Sequence, residues 1–100
     1  MILYNVTVQV DPSIEEAWLI WMKEEHIPDV MSTGLFTANR FWRLLDLDEA
    51  SGPTYAAQYI AGSREDYNKY IELFASEMRK RGYEKWGERF VAFRTVMEQV

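Results

Sequence analysis

Polar and apolar positions alternate from Ile2 to Val10. Ile2, Tyr4, Val6, Val8 and Val10 fall on one face of an extended chain, and Leu3, Asn5, Thr7 and Gln9 fall on the other. This predicts a first strand. Asp11-Pro12-Ser13 turns the chain, and Ser13 with Glu16 has capping-box spacing. Ile14, Ala17, Trp18, Trp21 and Met22 then recur at three- and four-residue steps, the apolar stripe of a helix. Pro28 disfavours helical geometry at Ile27, which predicts an end or kink near His26 and a short turn closed by Gly34. Phe36 to Leu47 and Thr54 to Ala61 are rich in aromatic and β-branched residues and flank a turn-forming stretch, Asp48 to Pro53, so they predict an antiparallel hairpin. Ser63 with Asp66 repeats the helix-start signal. Tyr67, Tyr70, Ile71, Phe74, Ala75 and Met78 trace a second stripe that ends at Arg79-Lys80-Arg81-Gly82. An aromatic turn, Tyr83 to Gly87, leads to a last strand over Phe90 to Met97.

The predicted order is β-α-β-β-α-β in a single α+β domain over residues 1–100. The halves are offset by 50 residues, with Ser13 matching Ser63, Glu16 matching Asp66 and Trp21 matching Ile71. Two right-handed β-α-β units interleave into a four-stranded antiparallel sheet with both helices on one face, the ferredoxin-like arrangement. The uncovered face should be polar in a solitary domain. Asn5, Thr7 and Gln9 satisfy that, whereas the second and fourth strands place large apolar residues on both parities: Trp42 and Leu44 against Phe41, Leu45 and Leu47, and Phe90 and Val96 against Val91, Phe93 and Met97. This predicts a homodimer whose sheets cover one another.

Composition narrows the chemistry. The absence of cysteine removes disulfides, thiolate nucleophiles and Cys-based metal sites, and a formal charge of −5 opposes nucleic acid and anionic lipid as partners. No apolar run is long enough to span a bilayer, and the N-terminus lacks a signal-peptide pattern, so a cytoplasmic protein is expected. Asp46, Asp48 and Glu49 lack calcium-loop spacing, Glu24, Glu25 and His26 diverge around a helix, and no metal or cofactor is expected. Tyr55 to Tyr59 echoes the aromatic strand of RNA-recognition domains without its basic-glycine lead.

His26 is the only histidine, and with Asp29 to orient it the imidazole is a candidate general acid or base. The alternative is a helix-end histidine bonded locally. Asn5 could bind a carbonyl or oxyanion, or it could simply be a polar residue on the sheet face away from the helices. Trp18, Trp21, Tyr67, Tyr70 and Phe74 could wall a pocket for a flat organic molecule or serve only as core. Tyr55 and Tyr59 share a face as phenol donors or as cross-strand packing.

Tyr4 to Thr7, Trp18 to Met22, Glu25 to Met31, Thr33 to Phe36 and Arg89 to Thr95 resemble a small bacterial family of uncharacterised function within the dimeric α/β barrel superfamily. The resemblance implies ferredoxin-like protomers paired through their sheets. Its wider relatives include antibiotic-biosynthesis-type monooxygenases, muconolactone-isomerase-like proteins, haem-degrading enzymes and stress-responsive proteins. The resemblance therefore implies a small-metabolite-binding dimer acting as a cofactor-independent monooxygenase or isomerase on an apolar or aromatic compound, or else a non-catalytic stress-associated binding protein. His26, Pro28 and Gly34 are similar to a helix-end pattern in ethyl-ether-degradation-type relatives. Asn5 matches the strand asparagine of haem degraders, but the second predicted helix lacks their histidine.

Overall fold

The computed structural model describes residues 1–100. Four strands, β1 (Ile2–Val10), β2 (Ala38–Arg43), β3 (Thr54–Ala61) and β4 (Phe90–Glu98), form one antiparallel sheet in the order β2-β3-β1-β4. The two halves interleave as expected, and the helices lie on one face. β1 is central, and its Tyr4 and Val8 sit opposite Tyr59 and Tyr55 of β3. The helix-facing parity of β1 and β3, from Ile2 to Val10 and from Tyr55 to Ala61, supplies eight of the 17 buried core residues, with Trp18, Met22 and Val30 above them.

The first helical passage differs from the expected broken helix. A 3-10 turn (Pro12–Ile14) leads into α1 (Glu15–Trp21), a π-helical segment (Met22–His26) and α2 (Ile27–Ser32) without interruption. Pro28 has no N–H to donate, and the wider π turn, in which Ile27 N–H reaches back to the Met22 carbonyl, accommodates it. The capping box is not formed. Asp11 accepts from the Ser13 N–H at 2.9 Å instead, because proline in the first turn starts the chain as a 3-10 turn one residue early. Gly34 closes the passage with φ +78°.

The second passage runs longer than expected. Ser63 caps α3 (Arg64–Leu73) by accepting from the Asp66 N–H at 3.1 Å. The chain breaks at Phe74, and α4 (Ala75–Trp86) continues through Gly82 to a stop at Gly87, φ +60°. Tyr83 to Trp86 are therefore helical and not a turn. Gly82 is a packing glycine, facing Trp21 and Phe90. The first hairpin strand is also shorter than expected, since Leu44 to Leu47 follow its end.

The hairpin turn depends on Gly52. At φ +112° an added Cβ would run into the Val10 carbonyl oxygen, part of a backbone that cannot yield. Gly52→Ala is expected to destabilise the fold by at least about 2 kcal/mol, read from urea unfolding midpoints. An unchanged midpoint would show that this close approach of turn and first strand is unimportant.

Candidate functional site

A cavity of about 60 Å³ lies between the helices and the sheet. As it stands it has room for a few water molecules, and a ring-sized ligand, which takes roughly 150 Å³, requires the side chains at its open side to move apart. Its floor comes from Tyr4, Val6 and Val8 of β1, Ala57 and Tyr59 of β3, and Ala92 and Arg94 of β4. Trp18, Trp21 and His26 roof it from the first helical passage, and Tyr70, Met78, Arg79 and Trp86 from the second. Most of the lining is apolar, and the polar groups are confined to phenol, indole, imidazole and guanidinium tips.

The π segment places His26. In a regular α-helix, residues five apart diverge by about 140°. The wider turn brings the imidazole onto Trp21, with ring centroids 4.7 Å apart and planes inclined by 23°. Burial pushes the imidazole pKa down to about 4, Arg81 and Arg94 push the same way, and Asp29 opposes them. His26 is therefore neutral at pH 7, with one ring nitrogen able to accept a proton.

Asp29 does not hydrogen-bond to His26. Its carboxylate pairs with Arg81 of α4 at 3.2 Å, tying the two helical passages together. Asn5 is on the wrong face to join either residue. It lies on the uncovered side of the sheet, where Trp42 donates to Gln58 at 3.0 Å, Gln58 donates to Asn5 at 3.3 Å, and Asn5 donates to Thr7 at 3.0 Å. This side-chain ladder crosses β2, β3 and β1 and satisfies two buried polar residues, Asn5 and Thr7. The three catalytic candidates His26, Asp29 and Asn5 do not come together: the sheet's alternation puts Asn5 on the face away from the helices, in line with its second reading, and an ion pair with Arg81 occupies Asp29.

Of the five aromatic residues expected to wall a pocket, Trp18, Trp21 and Tyr70 do so. Tyr67 and Phe74 are half-buried against the core instead. Tyr67 packs on Tyr4 with centroids 5.6 Å apart, and Phe74 stacks on Tyr70 at the bend between α3 and α4. Tyr55 donates to Glu15 at 2.5 Å, and burial with that carboxylate pushes its pKa up to about 12. Tyr59 and Tyr70 are likewise held far above the ordinary phenol range, chiefly by burial and by mutual proximity with Tyr4. All three remain protonated donors at any physiological pH. The Tyr59 hydroxyl and the Trp86 indole N–H are buried without partners.

Sequence reasoning overlooked Tyr4, Trp86, Arg79 and Arg94 as site residues. For Arg94 a signal existed: in the helix-facing row Phe90, Ala92, Arg94, Val96, Glu98 it is a charge flanked on both sides by apolar residues. Arg79 reads equally well as a helix-end charge, and only its tertiary position distinguishes the two roles.

Topology and site together define a ferredoxin-like α+β domain with an apolar cavity between its layers. The chain belongs to the DUF4286 family, a domain of unknown function, which it matches over residues 1–100. No curated protein matches it in sequence. Among solved structures it is similar to an ethyl tert-butyl ether degradation (EthD) family protein from Bacillus halodurans, with 12% identity, TM-score 0.71 and all of both chains covered. It is also similar to SnoaB, a cofactor-independent oxygenase from Streptomyces nogalater, with 8% identity, TM-score 0.69, and 98% of this chain and 91% of that one covered. A dimeric ferredoxin-like protein from an uncultured marine organism has 16% identity and TM-score 0.71, covering 100% and 95%. At these identities the likeness concerns the fold.

Proposed function

We propose that the protein is a homodimer in which each protomer binds a small, mainly apolar or aromatic metabolite in the cavity between helices and sheet. The metabolite is transformed there by cofactor-independent oxygenation or isomerisation. One observation carries this reading: a neutral imidazole, stacked on Trp21, forms part of the wall of an apolar cavity. His26 would take a proton from an acidic C–H or O–H of the metabolite, and a protonated phenol of Tyr59 or Tyr70 would hydrogen-bond the oxygen that gains charge. The fold's likeness to a cofactor-independent oxygenase supports the reaction class. No helix is long and apolar enough to cross a membrane.

The dimer rests on the uncovered sheet face. Trp42, Val91, Phe93 and Met97 are all exposed there, at 54%, 67%, 62% and 42%. A second copy placed sheet to sheet would cover them through a self-complementary two-fold contact.

A non-catalytic carrier is the second reading, favoured by the ion pair that withholds Asp29 from His26. Native mass spectrometry of the purified protein is expected to reveal a retained organic compound. That compound should be converted under oxygen by the wild type and not by His26→Gln. Retention with equal conversion by both proteins would remove His26 from the chemistry, and retention without any conversion would favour the carrier.

A further inference from the structure

Arg79 and Arg94 reach the cavity from opposite layers, one from α4 and the other from β4, and both are exposed at its edge. Neither takes part in an ion pair, although other arginines here do: Arg43 pairs with Glu15 and Glu49, and Arg81 with Asp29 and Glu77. Carboxylates outnumber cations in this chain, 16 against 11, so two unpaired guanidinium groups lining one cavity run against the overall charge. They also act on common ground. Both stabilise the ionised form of Tyr70, and Arg94 in addition acts on His26, which places the two charges around one site.

We infer that the cavity selects an anionic ligand, an aromatic or apolar carboxylate, whose carboxylate is held by Arg79 and Arg94 at the rim while its ring or chain enters between Trp18, Trp21 and Tyr70. The inference rests on the small-metabolite reading above and names the chemical class of the metabolite. Guanidinium groups suit this role because their paired N–H donors match a carboxylate's two oxygens. Two buried donors without partners, the Tyr59 hydroxyl and the Trp86 indole N–H, belong to side chains lining the same cavity and can serve a second polar atom of the ligand.

An anion at the rim also changes the imidazole. Desolvation and the charges of Arg81 on α4 and Arg94 on β4 hold His26 neutral against Asp29 of α2. A bound carboxylate offsets those positive charges and makes His26 a stronger base when the ligand is present.

Benzoate and its neutral analogue benzamide separate the possibilities, titrated against the full-length protein at low salt with binding read by tryptophan fluorescence. Benzoate is expected to bind at least about tenfold more tightly than benzamide, and added salt should weaken benzoate selectively. Arg79→Gln/Arg94→Gln should drop benzoate to the benzamide level. The imidazole pKa followed by NMR should rise with benzoate and stay put with benzamide. Equal binding of the two compounds would overturn the anion inference and leave the cavity reading standing. If neither compound binds, both fail. A benzoate preference that survives in the double variant would assign anion recognition to other residues and overturn this inference.

Discussion

Phe93→Asp is expected to convert the proposed homodimer into a monomer. Phe93 is on the uncovered face of β4, opposite Thr7 of β1, with 62% of its surface exposed in the single chain. In the paired assembly a carboxylate at this position would be desolvated, which costs several kcal/mol. A loss of about 4 kcal/mol weakens association about a thousandfold, enough to dissociate a submicromolar dimer throughout the micromolar range. Sedimentation at graded concentrations reads the outcome. Leu73→Asp is the control, because Leu73 is similarly exposed, at 65%, but sits at the end of α3 in the helix layer. Wild-type protein that sediments as a monomer at every concentration, or a Phe93→Asp protein that remains paired, would refute sheet-to-sheet association. Loss of pairing in the Leu73 variant would move the interface to the helices.

The same face shows why part of this molecule was legible in its sequence and part was not. Strand parity is local, so Ile2 to Val10 announces both its faces, and the register with β3 and β4 carries that alternation across the sheet. The placement of Asn5 away from the helices follows from parity alone. Its partners do not, because the Trp42–Gln58–Asn5–Thr7 ladder joins three strands far apart in sequence. Pro28 signalled a disturbance near His26 correctly, but whether a helix breaks or widens depends on what it packs against. Here Met22, Ile27 and Val30 all enter the core, and a break would have withdrawn one of them. Gly82 illustrates the converse. Read locally it is a helix stop; in the fold it is the small surface against which Trp21 and Phe90 close the cavity. The pairing of Asp29 with Arg81 spans the two helical passages and leaves no local trace.

His26 should also give the protein a pH-dependent stability that a partly solvated helix-end histidine would not. The imidazole has its ordinary pKa of 6.5 in the unfolded chain and about 4 in the fold, where burial is the main cause. Between those values the unfolded chain holds the proton and the native chain does not. Acidification therefore favours unfolding. The stabilisation from keeping His26 neutral is complete above about pH 6.5 and is lost progressively as the pH falls toward 4. The difference of about 2.5 pH units corresponds to about 3 kcal/mol over that window. Urea unfolding at fixed protein concentration between pH 7 and pH 4 should show this decline in the wild type and a flatter profile in His26→Gln, which lacks the imidazole. The exposed Asp11, lowered by its bonds to Ser13, loses its contribution only at more acidic pH, so it does not mimic the effect. Parallel profiles for the two proteins would mean that the imidazole is hydrated, and a hydrated imidazole could not be the desolvated proton acceptor on which the catalytic reading depends.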